Sequence, residues 1–458
     1  MIQRTRSAPP SDLPAHALVG TWLPITLVVV ALVPLGSARS PLMTALLTVA
    51  AGAAFLWALV RLAQRQGMTC AAQRVLDGTD TTPFLGIPIV VLIQALLWPR
   101  LGLTDGSAHA IRESAYLLGA LWIFYLLARS AAADRGKVRS LITALVMVSA
   151  LEALYGLLNL LAGNEYLLGY RRWIHFDSAT GTFYSRNQFA YLLEMTLPVA
   201  VSAAAIFSTR ARSEDERRAR KLLAILPPIL MALAFVFSRS RMGIVSLASA
   251  TVVVLLLNRA LRPQADSPPA HKRRHVGMFL AAAVVLGFAA VIGVEPVLER
   301  FLMIPQDLEN GRWPLWQVAL EMARERPLLG HGWGTFAGLA PAYRARPTGV
   351  YYDHAHNDYL EVLAETGIVG LALLLWLVVL FARRLAASLG KPLTDAQRRV
   401  IVALGIAIVS VLFHSAADFG LRIPGLAFTF ALVAALFSRV TEDPSLIERR
   451  RKVRSEQE

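Results

Sequence analysis

Long apolar runs, separated by short polar and often basic segments, dominate this chain. A hydrocarbon core about 30 Å thick is crossed by roughly 20 mostly apolar residues in an α-helix. Twelve stretches meet that requirement: 17–36, 42–60, 82–98, 115–128, 141–162, 187–208, 222–237, 242–257, 276–294, 367–382, 400–416 and 423–438. The pattern predicts an all-α polytopic membrane protein with about 12 transmembrane helices. One long interval, 295–366, predicts a large loop. Within it, GRWPLWQVALEMARER at 311–326 carries apolar residues at helical spacing, and Pro327 ends the run. That segment reads as a short helix packed on or near the bilayer surface. The first stretch follows a leader with Arg4 and Arg6, exceeds a signal-peptide core in length, and reads as a retained anchor. The organisation is five spans in 1–180, spans six to nine in 181–294, the loop 295–366, and the last spans with a basic tail in 367–458.

Composition agrees with a membrane chain. Of 458 residues, 55% are hydrophobic and 17% charged, with mean hydropathy +0.51, too few polar residues to cover soluble domains of this length. The formal charge of +15 would point to nucleic acid in a soluble chain. In a membrane chain it marks cytoplasmic loops. With the N-terminus inside, the inner segments hold 31 of the 46 Lys and Arg residues, including TRARSEDERRARK at 209–221, HKRRH at 271–275 and the tail RRRKVR at 449–454. Both termini are then cytoplasmic. PQADSPPAHKRRH at 263–275 reads as a flexible linker. A single cysteine, Cys70, excludes an internal disulfide framework and a cysteine-cluster metal site.

All 15 cations left outside are arginines, whose planar fork suits phosphate. Arg239 and Arg241, in SRSR at 238–241, fall at the outer membrane–water boundary; Arg186 falls at the same depth, and Arg312 opens the amphipathic segment. An arginine there either snorkels to headgroups or meets the phosphates of a lipid-linked substrate. The loop 295–366 holds ten acids and six arginines, which argues for a small phosphate site over a polyanion-binding surface. YYDHAHNDYLEVLAETGIVG at 351–370 brings His354 and His356 together, with His331 upstream. Three roles fit these histidines: a metal pair with Asp353 or Asp358, lacking a third ligand at recognisable spacing; proton transfer, since histidine titrates near neutral pH; or caps of the next span. Glu152 and Glu194 lie within spans, so each faces the bundle interior or a wet cavity. At the turn HSAADFGLR, 414–422, a snorkelling Arg422 and a pairing of Asp418 with a neighbouring arginine both fit. No Walker, G-x-G-x-x-G or D-x-D motif supports nucleotide-sugar chemistry with a bound cation.

The order of these features resembles the O-antigen ligase/O-antigen polymerase superfamily of bacterial envelope glycosyltransferases. GTFYSRNQFA at 181–190, SRSRMG at 238–243, GRWPLW at 311–316 with RPLLGHGWGTF at 326–336, and HAHNDYLEVLAETGIVG at 354–370 carry the resemblance, which runs from about 180 to 440. The last segment is similar to the ligase pattern of His, Asn and two glycines, met by His356, Asn357, Gly367 and Gly370. The resemblance implies glycosyl transfer without metal or other cofactor, at the periplasmic face of a bacterial inner membrane. The donor would be a glycan on undecaprenyl pyrophosphate and the acceptor a sugar hydroxyl: the lipid A core for a ligase of lipopolysaccharide biosynthesis, a lipid-linked repeat for a polymerase. No nucleic acid takes part. His356 would be the general base. Arg241 and Arg312 would hold the pyrophosphate, with Arg186 or Arg239 adding to the site. His354 would orient the turn, and Asn357 and Asp418 would support it. HSAADFGLRIP at 414–424 resembles exopolysaccharide polymerases as much as ligases, so both acceptors stay open, with the His356 pattern leaning to ligase. A transporter or flippase of lipid-linked glycan is the reading from another class; it would place cations within spans along a path, whereas these arginines cluster at one face.

Overall fold

The structure, a computed structural model, describes residues 81–103, 108–172, 174–207, 213–263, 312–343 and 353–448. The expected spans 17–36, 42–60 and 276–294, most of the linker 263–275 and the tail motif 449–454 lie outside the described residues. The other nine expected spans are all helices: α1 Thr81–Leu97, α2 Ala108–Ala131, α3 Arg135–Leu161, α4 Arg186–Phe207, α5 Glu214–Phe237, α6 Arg241–Leu261, then, after the short helices α7 Trp313–Glu325 and α8 Phe336–Leu339, α9 Asp358–Leu389, α10 Asp395–His414 and α11 Pro424–Glu442. Eight are long and apolar enough to cross a membrane, and α1 contributes a shorter apolar helix. At 1.5 Å per residue, about 20 residues match the hydrocarbon core. This is an all-α polytopic membrane protein. Between α3 and α4, Tyr166–Leu167 and Tyr170–Arg171 pair as a minimal antiparallel hairpin.

Polar residues at the helix starts hold orphan amides. Asp134 accepts from Lys137 N–H, Ser213 from Glu216, and Thr394 with Gln397 closes a capping box on α10. Ser213 also precedes three acids in the first turn of α5, which suit the positive end of the helix dipole. Helices α4, α10 and α11 form the interior: α10 packs on α4 and α6, and α11 on α2. The outer helices keep Leu222, Val252, Leu256, Leu375 and Val379 exposed, an apolar surface that fits lipid.

One break shapes the end of the bundle that carries the site. At Gly367 helix α9 takes φ 63°, ψ −164°, a conformation essentially confined to glycine. The backbone of 327–332 fills the break. Ile368 N–H donates to Pro327 O at 2.8 Å, and Gly332 N–H donates to Glu365 O at 2.8 Å. A Cβ on Gly367 would collide with the Leu328 backbone, so the two chains meet at glycine contact. Gln94 of α1 braces the same junction, donating to Leu329 O at 2.6 Å and Glu365 O at 2.9 Å. The helix expected within 311–326 is α7, with Pro314 in its first turn, and it packs Val318, Ala319 and Met322 against Phe336, Ala355 and Ala364.

Candidate functional site

Five segments far apart in sequence meet at this end: the start of α4, the α5–α6 turn, the residue before α7, the turn before α9, and the α10–α11 connection. Asp418 is their hub. Asn187 Nδ2 donates to Asp418 Oδ2 at 2.7 Å, and Ser240 Oγ donates to Asn187 Oδ1 at 3.0 Å. Ser240 also caps α6, accepting from Gly243 N–H at 3.3 Å. Arg312 Nη2 stands 3.9 Å from Asp418 Oδ2, and His356 Nδ1 stands 3.4 Å from Asp418 Oδ1. The second distance is an electrostatic contact longer than a good hydrogen bond. Burial alone would push the Asp418 carboxyl up. The His356 ring beside it, then His414 and Arg312, outweigh burial and hold it below the usual carboxylate range.

Access separates the two histidines. The His356 side chain is 28% exposed, whereas those of His354 and Asp418 are 1% and 4% exposed. His356 sits at φ 52°, an uncommon left-handed conformation for a residue with a Cβ. The following residue anchors that turn: Asn357 Oδ1 accepts from Tyr359 and Leu360 N–H, each at 3.1 Å, and so caps α9. His354 serves the scaffold. Its Nδ1 lies 2.7 Å from Glu361 Oε1, Ala355 N–H donates to Glu361 Oε2 at 2.8 Å, and the ring stacks on Phe419 at 4.2 Å. His356 meets the same Phe419 ring nearly perpendicular, at 4.7 Å and 80°. Phe419, next to Asp418, thus separates a buried histidine from an open one.

Arg422 does not snorkel. It is buried, donates to Glu365 Oε2 at 2.6 Å, lies 3.7 Å from Glu361 and 3.9 Å from Asp358, and covers the Trp333 ring at 3.9 Å. The cost of burying that guanidinium is offset by three carboxylates on one helix turn face, spaced three and four residues apart. The other reading of that turn, Asp418 beside a neighbouring arginine, is what the fold adopts. Below this layer, Tyr191 donates to Ser415 Oγ at 2.7 Å, Ser415 donates to Asp358 at 2.8 Å, and Tyr191 stacks on His414 at 4.2 Å. Glu194 faces the bundle interior, 3.1 Å from His414 Nδ1. Glu152 ties α3 to the segment before α4, accepting from Thr182 N–H at 2.9 Å and its hydroxyl at 3.0 Å.

The remaining arginines divide. Arg239, at φ 53°, reaches Asp177 Oδ2 at 2.8 Å. Burial raises Asp177, but Ser178, Arg239 and Arg186 together hold it below the usual carboxylate range. Arg186 is buried at the first turn of α4, and Arg241 is half-buried at the first turn of α6. Arg239 and Arg186 therefore flank the site on the Asp177 side, while Arg312 and His356 share Asp418. Among the described residues, no group of three or more His, Cys, Asp and Glu side chains is arranged to hold a metal ion. Sequence reasoning passed over Asn187, Glu361, Glu365, Trp333 and Phe419 as functional residues. Asn187 had a signal, an amide directly after Arg186 at a helix start.

Residues 227–375 match the protein family described as O-antigen ligase. The chain is also similar to the exopolysaccharide production protein ExoQ of Rhizobium meliloti (strain 1021), with 27% identity over 249 residues, 50% of this chain and 53% of that protein. The chain thus spans about half the length of that curated relative. The two similarities bear out the resemblance to the O-antigen ligase and polymerase superfamily. The family match includes Arg239, Arg241, Arg312, His354, His356 and Asn357, whereas Asn187 and Asp418 lie outside it.

Proposed function

We propose that this chain, an O-antigen ligase/polymerase-type membrane glycosyltransferase by its similarities, moves a glycan from undecaprenyl pyrophosphate to a sugar hydroxyl on the lipid A core. The observation that carries the reading is a partly open His356 held against buried Asp418 beside Arg312, where the N-termini of α4, α6, α7 and α9 converge. Helix N-termini present unpaired N–H groups and the positive end of the dipole, which favours anions. Arg312 and Arg241, with Arg186 and Arg239 flanking, supply the fixed positive charge for a pyrophosphate.

The chemistry then follows from the roles. His356 takes the proton from the acceptor hydroxyl as its oxygen forms the new bond to the anomeric carbon. The bond from that carbon to the pyrophosphate oxygen breaks, and the arginines stabilise the charge that gathers on the leaving group. Asp418 orients the imidazole and stabilises the imidazolium that forms. Pyrophosphate is a good leaving group, and the reading needs no metal. The site faces the periplasm of a bacterial inner membrane, with both termini in the cytoplasm, in keeping with the basic inner loops. A polymerase that uses a second lipid-linked glycan as acceptor is the alternative, favoured by the similarity to an exopolysaccharide production protein.

The test is His356→Ala in a transfer assay with lipid-linked glycan donor and either acceptor. Loss of transfer by about 10² to 10⁴ is expected for removal of a general base, with an unchanged melting temperature in detergent. Retained activity removes His356 as the base. Transfer to lipid A core alone supports the ligase reading; transfer only to a second lipid-linked glycan replaces it with the polymerase.

A further inference from the structure

Opposite the site, where α2 and α11 end, three arginines gather around one carboxylate. Arg129 Nη2 lies 2.9 Å from Glu442 Oε2, and Arg439 Nη1 lies 2.7 Å from the same oxygen. Arg384 completes the group, donating from Nε to Thr441 Oγ1 at 2.7 Å and from Nη2 to Ser438 O at 2.9 Å. Three guanidinium groups and one carboxylate leave a local excess of positive charge.

A groove starts at this cluster. It is apolar, partly open to the outside of the described helices, and has a cavity volume of about 130 Å³ between α2, α9, α10 and α11. Leu374, Val378, Phe381, Leu412, Phe430 and Phe437 form its walls, while Arg384, Ser438 and Tyr125 line its polar end. From Leu374 to Arg384 the groove follows ten residues of α9, about 15 Å of helix. That stretch of α9 is about half of the roughly 30 Å hydrocarbon core, and the groove continues past it to Leu412 and Leu421 beside the α10–α11 connection.

We infer that this groove binds one anionic phospholipid, its acyl chain along α9 and its phosphate at the Arg384 end. Length and charge argue together. The apolar walls run from the Arg384 end to Leu412 and Leu421, a course for an extended acyl chain, and the positive excess lies at the end where a headgroup would sit. Basic residues at a membrane boundary each strengthen attraction to anionic lipid by about 1 kcal/mol. This ligand is distinct from the donor of the proposed reaction, whose pyrophosphate belongs at the His356 end of the bundle.

The experiment is native mass spectrometry of the purified full chain, delipidated and then exposed to phosphatidylglycerol or phosphatidylcholine. Wild type is expected to retain phosphatidylglycerol preferentially. Arg384→Gln should weaken that retention about fivefold, the effect of one boundary arginine. Val378→Trp, which fills the groove and leaves every arginine in place, should abolish it and so guards against misfolding of the arginine variant. Equal retention of both lipids by wild type, or phosphatidylglycerol retention unchanged in both variants, overturns the inference. So does a Val378→Trp protein that keeps the phospholipid but shows a raised KM for the lipid-linked donor, which would give the groove to the donor's tail.

Discussion

Replacing Asp418 with asparagine isolates the charge at the hub. The amide is nearly isosteric, so Phe419, Ser240 and the helix starts keep their packing. What disappears is a negative charge 3.4 Å from His356 Nδ1 and 3.9 Å from Arg312. In the proposed transfer the imidazole becomes cationic as the acceptor loses its proton, and Asp418 gains an attraction absent in the resting state. Coulomb's law at 3.4 Å gives about 1 kcal/mol in a water-like dielectric and about 5 kcal/mol at an effective value near 20. The ring is 28% open to solvent, which places the effect between those limits, at about 3 kcal/mol and a rate loss of about 10². The assay is steady-state transfer with saturating donor and acceptor, alongside a thermal melt in detergent. A fall in kcat of that order, with the KM for donor changed less than the rate, is expected. Asp418→Glu, which keeps the charge on a longer stem, should recover part of the loss. A kcat within twofold of wild type for Asp418→Asn would refute the reasoning and reduce Asp418 to a structural tie.

Three further outcomes are expected. Arg312→Lys keeps a positive charge but loses the planar fork, so donor use should fall at least tenfold while the fold survives; a wild-type donor KM and rate would dismiss the fork. His354→Ala leaves Glu361 buried without its 2.7 Å partner, which costs about 2–3 kcal/mol for a hydrogen bond to a charged group; the melting temperature should drop, and an unaltered melt would contradict the scaffold role. Gly367→Ala places a Cβ against the Leu328 backbone at φ 63°, a strain of about 1–3 kcal/mol from the dihedral alone, and full-length protein in membranes should fall sharply on an immunoblot.

Much of this fold is legible in the sequence. Nine of the twelve apolar stretches are helices, and the other three lie outside the described residues, because crossing lipid leaves the backbone few options. The 115–128 run, the shortest, is the middle of a 24-residue helix. Its flanking Arg112, Glu113 and Arg129 hid the ends from a count of apolar residues. The motif at 354–370 drew attention to this segment, yet not to its physics. Gly367 is there to admit another strand of backbone, and nothing local to 354–370 reveals that residues 327–332 fill the gap. His354 and His356 look equivalent in sequence; Phe419, more than sixty residues later, stacks on the buried one and meets the open one edge-on. Arg422 looked like a boundary cation because its three carboxylates lie on a helix beginning 64 residues earlier.

The hub at Asp418 carries a consequence for how the protein is made. Synthesis and membrane insertion proceed from the N-terminus, so α4, the α5–α6 turn and the His356 turn all emerge before the α10–α11 connection. Until that connection arrives, Asn187, Arg312 and His356 have no shared carboxylate, Phe419 is not yet beside His354, and the acids of the α9 start have no Arg422 to neutralise them. The last pair of spans therefore acts as a keystone. Any nascent chain stopped short of it carries His356 and the arginines proposed for the pyrophosphate without their shared geometry, so the proposed mechanism makes the incomplete product inert.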